Sequence, residues 1–276
     1  MKFRTIFILF NGVILTSFLF VFFLPFFLLG AASSLSFWKG NWYLALLFLV
    51  LLGGLNAFFL LNRKTFVLVE REDWGELSAH LVRLMFPKGR FRSSRVRLLV
   101  NAYLLQSDIE GIERLEAELS SKRPDLLRKN ALLFGVTRLL RGKNGEAETF
   151  FARYLDSKDV ESRHWLRFDY GFSLVLQKKI AEALPYLDEG MASRDPVLCL
   201  LSAYLMNSVG VASAATETEK TRLFVKAAGP RERLRKRFTS AKWDREVESA
   251  KNEMHIVILS KLIDDAGRWL YPIGKA

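Results

Sequence analysis

IAEALPYLDEG, residues 180–190, has the apolar spacing of an amphipathic helix, and three more segments of that kind precede it at a fixed interval. They are WGELSAHLVRLM from Trp74, IEGIERLEAEL from Ile109 and NGEAETFFARYL from Asn144. The four starting positions are 35, 35 and 36 residues apart. A period near ~34 residues built from helix pairs is the mark of a helical solenoid. One pair cannot bury its own apolar face, so stacked pairs share a continuous core. The chain is therefore expected to be all-α.

Helix breakers support this reading. Pro87-Lys88-Gly89, Pro124, Gly142 and Pro196 punctuate the region. Between them apolar residues recur at helical spacing: Val96, Leu99, Val100, Tyr103 and Leu104 in one stretch, then Leu127, Ala131, Phe134 and Arg138 or Leu139 in the next. Small residues fall where helices must approach closely, at Gly135, Ala147, Gly171 and Ala183. Only TFVLVE (65–70) is ambiguous between strand and helix.

At DYGFSLVLQKKIAEALPYLDEG (169–190) the pattern resembles a tetratricopeptide repeat. That family pairs two antiparallel helices, with a small residue in the first and an Ala-led apolar pattern in the second. Gly171 takes the small first-helix site, and Ala183 with Leu184 opens the second helix. One repeat earlier, Gly135, Gly142, Ala147, Phe150, Phe151, Tyr154 and Leu155 fit equally well. The copy before that is looser: it keeps Ala102-Tyr103, Asp108, Leu119 and Pro124 but has Val100 and Ile112 where small residues are usual. The earliest copy has only its second helix, 73–86, its first falling on 58–71. Pro185 is expected to delay or bend its helix. Beyond Pro196 the register is lost, and helices at 197–208 and 216–228 are expected as a degenerate pair.

Two apolar runs precede the repeats. Residues 5–29 exceed the ~20 needed to cross a bilayer core, and residues 42–61 match it. Their connecting loop carries Phe37, Trp38, Trp42 and Tyr43, aromatics favoured at a headgroup boundary. Asn11 and Asn56 are expected to form a helix–helix hydrogen bond. Lys2 and Arg4 precede the first run, Lys39 alone sits in the loop, and Arg63, Lys64 and Arg71 come after the second. The positive-inside rule then places both ends in the cytoplasm. A cleaved signal peptide ending near GAAS (30–33) is the competing reading of the first run, whose apolar stretch is far longer than a signal core of roughly 7–15 residues. Either way the repeats face the cytoplasm.

Charge divides the chain in the same place. The net charge is +12, yet residues 1–62 hold no Asp or Glu and only three basic groups. The expected organisation is a transmembrane hairpin (1–62), a repeat domain (63–209) and a basic helical region (210–276). A single cysteine, Cys199, excludes an internal disulfide and reads as a buried small hydrophobe. With one Cys and the scattered His80, His164 and His255, no zinc spacing can be built.

The resemblance implies a groove lined by first helices. Its residues would be Arg97 and Asn101, then Lys129, Leu132 and Val136, then Trp165, Phe168 and Phe172: basic and polar at one end, aromatic at the other. Arg97 and Asn101 lie one turn apart and suit a carboxylate or peptide backbone. The aromatics suit an apolar anchor, although the same spacing also describes a core face. At the other end of the chain, PRERLRKRF (230–238) has a permitted helix start in its Pro-Arg and continues with helical patterning to about Tyr271. It is read as a long basic helix capping the last repeat. Arg231, Arg233, Arg235, Lys236 and Arg237 suit anionic lipid. Nucleic acid fits them less well, because few aromatics interleave and no recognised module is present.

No phosphate loop, His-Glu-x-x-His or Gly-x-Ser-x-Gly motif occurs, and His164 near Asp169 lacks a nucleophile. The sequence is read as a non-catalytic, cofactor-free scaffold at a bacterial inner membrane. On this reading its repeats bind a protein or peptide; the alternative is a basic face that binds lipid or nucleic acid, with the repeats as a spacer.

Overall fold

The computed structural model describes residues 3–87, 89–251 and 253–272. Lys2 and Lys88 lie outside the described residues, as do the side chains of Arg4, Ala31, Ala32 and Ser33. Regular structure among the described residues is helical throughout, in 15 α-helices and one π-turn. The chain divides into two compact units, Met1–Leu84 and Met85–Ala276.

In the first unit, α1 (Phe3–Glu70) is broken at Gly30 (φ 79°, ψ 171°) and at Asn41 (φ −121°, ψ 23°). Gly30 takes a positive φ that a side chain would resist. The break yields Phe7–Leu28 and Ser34–Glu70, both long and apolar enough to cross a membrane. They run antiparallel: Phe7 meets Phe59, Phe18 stacks on Phe48 at 4.3 Å, and Asn56 Nδ2 donates to Asn11 Oδ1 at 2.8 Å. The asparagines thus pair across the hairpin as expected, and each also donates to its own preceding turn. The second segment outruns the expected 42–61 at both ends, and TFVLVE is its helical last turn. This continuity carries the helix past residue 62 to Glu70.

A short turn leads into α2 (Trp74–Met85), and its geometry recurs along the chain. Glu72, Ser107, Gly142 and Lys178 adopt left-handed φ values of 54°, 57°, 68° and 63°. The next residue's N–H reaches back five positions each time: Asp73 to Leu68, Asp108 to Tyr103, Lys143 to Arg138 and Lys179 to Leu174, at 2.9–3.1 Å. This is the Schellman closure, which satisfies the last carbonyls of one helix before the next begins. The helices after these turns start at Trp74, Ile109, Asn144 and Ile180, the four positions that define the period in the sequence. Only Gly142 of the four is suited to its φ; a residue with a Cβ in this region costs about 1–2 kcal/mol. Ser107→Gly and Lys178→Gly are expected to raise stability by roughly 1 kcal/mol each, the gain being reduced by the greater entropy of Gly in the unfolded chain. Gly142→Ala should lose about as much, and chemical denaturation of the three variants checks the set.

The second unit holds α3 (Ser93–Leu105), α4 (Ile109–Lys122), α5 (Pro124–Lys129), α6 (Ala131–Leu140), α7 (Asn144–Ala152), α8 (Arg163–Leu176) and α9 (Ile180–Met191). It continues with α10 (Pro196–Leu205), a π-turn (Met206–Gly210), α11 (Val211–Ser213), α12 (Glu217–Arg237), α13 (Ser240–Ala250), α14 (Met254–Ile258) and α15 (Ser260–Leu270). From α6 to α10 each helix packs on the next, and α10 also packs on α12. Close approach is visible at the small residues: a Cβ on Gly135 would lie 2.0 Å from the Phe151 ring, and one on Gly171 would lie 2.8 Å from Tyr186 Cβ. Ala147 and Ala183 are fully buried.

Several local expectations change. The α9 helix starts at Ile180 despite Pro185, which it carries in its second turn. The stripe 127–139 is split at Asn130, whose Nδ2 donates to Leu126 O at 2.7 Å and ends α5 there. Pro230 lies inside α12 rather than at a helix start. The true start is Thr216, whose hydroxyl accepts from Glu219 N–H, so the basic run lies at a C-terminus, where the helix dipole favours cations. The single long helix expected to about Tyr271 is four helices, interrupted at Phe238, Lys251 and Leu259. Residues 209 and 210, the expected edge of the repeat domain, fall inside the continuous helical run 196–213. Pro196–Ser213 is a third segment long and apolar enough to cross a membrane, but 56% of it is buried within the protein, against none of the first two.

Candidate functional site

Two clusters of expected site residues can be followed in the folded chain. The first gathers around Glu161, in the loop before α8. Glu161 N–H donates to Lys129 O at 3.0 Å, which fixes the loop beside α5. Its carboxylate then meets Arg97 Nη1 at 2.9 Å and Lys129 Nζ at 3.3 Å. Ser93, in the first turn of α3, donates to Asn130 Oδ1 at 3.1 Å and ties α3 to the α5–α6 junction. The structure thus brings Arg97 and Lys129 together from different helices, with one carboxylate between two cations. Both cations remain about half exposed, so these pairs add little to stability. Asn101 sits one turn beyond Arg97, partly buried, and its Oδ1 accepts no hydrogen bond among the described residues. Leu132 and Val136 are buried. In the same loop Asp159 pairs with Arg128 at 3.6 Å.

The aromatic cluster lies on α8. Trp165 and Phe168 are buried, Phe168 completely, and Phe172 is half-buried. Phe168 stacks parallel to Phe172 at 6.1 Å, and Trp165 sets its edge against Phe168 at 5.7 Å. The indole N–H of Trp165 donates to Asp195 Oδ2 at 2.9 Å, while Asp195 Oδ1 caps α10. On the other side Trp165 meets the His255 ring at 5.1 Å. The three aromatics touch one another, but Phe168 has no free surface and α14 lies against Trp165. Helix α14 also packs on α6, and α15 on α10. The C-terminal region thus packs back against α6, α8 and α10.

Clefts remain along that line. One, about 750 Å³, is bordered by His164, Trp165, Arg194, Asp195, Glu253 and His255. Another, about 390 Å³, lies between α6, α8 and α14–α15 and includes Asp169, Phe172 and His255 in its wall. Asp169 is fully buried, and burial alone raises its carboxyl well above the usual carboxylate range. His255, 3% exposed, is lowered by burial to about 4, with the Asp195 charge opposing the shift. His164 is exposed, so it does not join Asp169. Among the described residues no group of three His, Cys, Asp or Glu is placed to hold a metal ion.

The basic run at the end of α12 is divided in use. Arg231 lies 4.6 Å over the Trp269 ring and donates to the Trp269 carbonyl, and Arg233 donates to Met191 O at 3.3 Å. Arg235, Lys236 and Arg237 are exposed. Lys236 lies 3.8 Å from Glu232, and Arg237 lies over Phe238. Cys199 is buried and donates to Met191 O. The two groups that periodicity could not reveal are Glu161 and His255: each acts on residues far from it in sequence.

Known proteins place the chain. An uncharacterised protein of Treponema pallidum (strain Nichols) is 31% identical over 233 residues, which cover 82% of this chain and 74% of that protein. No solved structure matches. Residues 111–272, from α4 to the end of the described chain, match the family described as "Uncharacterised Treponema protein", and the chain belongs to that family.

Proposed function

We propose that this protein is a non-catalytic scaffold, anchored in the inner membrane by its N-terminal hairpin, whose tetratricopeptide-like repeats bind a protein or peptide on the cytoplasmic side. The observation that carries the reading is the turn repeated at Glu72, Ser107, Gly142 and Lys178. It has the same handedness and the same back-reaching hydrogen bond at the repeat interval. Such a unit generates stacked helix pairs, and stacked pairs present extended binding faces. The hairpin's length and apolarity support anchoring. Arg63, Lys64 and Arg71, directly after the second apolar run, favour the cytoplasmic side for the repeats.

The partner's docking point is the basic end. The aromatic end is occupied by the chain's own α14, whereas Arg97 and Lys129 keep exposed surface and share one carboxylate. A partner carboxylate, from an acidic side chain or a chain terminus, replaces Glu161 between them, and Asn101 supplies a hydrogen-bonding group one turn away. Crosslinking in intact cells, followed by recovery and mass spectrometry, tests this. Arg97→Glu with Lys129→Glu is expected to cut recovery of the partner at least tenfold, with the circular dichroism unchanged. The lipid reading draws its support from Arg235, Lys236 and Arg237, the exposed part of the basic run. Charge reversal at Arg235 and Lys236 leaves protein recovery intact on the scaffold reading. Loss of recovery with that variant and not with the first moves the working surface to α12.

A further inference from the structure

The smaller cleft contains a carboxyl group without a partner. Both oxygens of Asp169 are buried and have no hydrogen bond among the described residues. The same holds for the Nε2 of His255, also buried. Both residues line the same cavity of about 390 Å³, with Val136, Phe172, Ile258 and Leu262 among its apolar walls. Buried polar groups are nearly always satisfied, and an unpaired carboxylate in apolar surroundings is costly. An apolar cleft of a few hundred Å³ with one or two convergent polar groups is the usual form of a small-molecule site.

We propose that this cleft binds a small primary ammonium ion carried on an apolar stem. The ammonium N–H groups donate to the Asp169 carboxylate, and the stem packs against Val136 and Phe172. The polar groups select this chemistry. An ionised carboxylate only accepts, so its ligand must bring donors, and a charged donor makes the strongest such bond. Neutral His255 adds a nitrogen that accepts in one tautomer. An anionic ligand meets repulsion from Asp169. The site stands apart from the basic docking point and does not depend on it.

Burial sets the proton balance. Burial raises the Asp169 carboxyl in the empty cleft, and an ammonium beside it acts in the opposite sense by favouring the ionised form. The charged groups on the helices around α8 are largely engaged elsewhere. His255 stays neutral above about pH 4. Arg138 on α6 pairs with Glu116, Glu148 on α7 with Lys179, Glu189 on α9 with Arg167, and Asp195 at the start of α10 with Trp165. Lys261 and Asp265 of α15 also line the cleft. Lys261 is exposed, and Asp265 pairs with Arg268.

Calorimetric titration of the full chain in lipid nanodiscs tests the proposal, with phenethylamine as probe, 2-phenylethanol as its uncharged analogue and empty nanodiscs as blank. Phenethylamine is expected to bind at least tenfold more tightly than the alcohol. Asp169→Asn should remove the preference for the amine. Equal binding of amine and alcohol, or no binding of either, overturns the proposal. So does an amine preference that persists in Asp169→Asn. Should Asp169→Asn fail to fold, the amine–alcohol comparison on the unaltered chain still decides.

Discussion

Gly135→Ala is expected to destabilise the protein by about 2 kcal/mol, although replacing Gly by Ala inside a helix normally gains up to ~1 kcal/mol. The reason is local. A Cβ at Gly135 would lie 2.0, 2.4 and 2.7 Å from three atoms of the Phe151 ring. Phe151 is fully buried, so its ring has no open space to move into. Forcing an extra methyl into such packing costs roughly 1–3 kcal/mol in displaced side chains, on top of the forfeited helix gain. Gly229→Ala is the control: it lies in α12, and a Cβ there meets nothing within 4 Å. That variant should gain up to ~1 kcal/mol. Urea denaturation of both variants separates contact from propensity. Phe151→Leu in the Gly135→Ala background should cost less than the sum of the two single changes, because the smaller side chain vacates the space the methyl needs. Strict additivity would remove the α6–α7 contact from the explanation.

That contact also shows why the repeat was legible. Close helix approach demands a small residue at a fixed place, and the next turn demands a tight reversal at another. Both constraints are local, so they leave a period in the chain. Gly135 and Gly171 fall at the close contacts, and α2, α4, α7 and α9 begin where the spacing placed them. Asn11 and Asn56 were readable for a related reason: a side-chain amide in an apolar helix needs a partner, and the facing helix offers one. The C-terminal region leaves no such signature. A helix from 216 is expected, and Thr216 with Glu219 does cap α12, but Pro230 reads as a second helix start and hides that α12 runs on to Arg237. The aromatic face of α8 was recognisable as a face, since Trp165, Phe168 and Phe172 recur at helical spacing. Its cover was not, because His255 comes from about ninety residues further along. Glu161 is of the same kind: pairing it with Arg97 and Lys129 depends on the path of the loop before α8, which has no periodicity.

His255 carries the second large effect, an acid-induced loss of stability of about 3 kcal/mol between pH 6.5 and pH 4. Its ring lies under Trp165, 3% exposed, and burial lowers its folded-state value to about 4 from the ordinary 6.5. Between those values the unfolded chain binds a proton that the folded chain refuses. Stability therefore falls as pH falls through this window, by about 1.4 kcal/mol per unit, and stops falling below about pH 4. Asp169 acts in the opposite sense. Its folded-state value is raised, so the folded chain holds the extra proton and stability falls as pH rises from the ordinary carboxylate range toward the raised value. The two contributions oppose one another in the acid limb, and single replacements separate them. His255→Leu should leave stability at pH 7.5 nearly unchanged and flatten the loss between pH 6.5 and 4. Asp169→Asn should instead stabilise at pH 7.5 and give a steeper acid loss, because the compensating carboxyl is gone. Denaturant midpoints of the three proteins at pH 7.5, 5.5 and 4.5 decide the matter. A His255→Leu profile parallel to that of the unaltered chain would mean that the ring is protonated in place and that α14 yields to water before the rest of the fold.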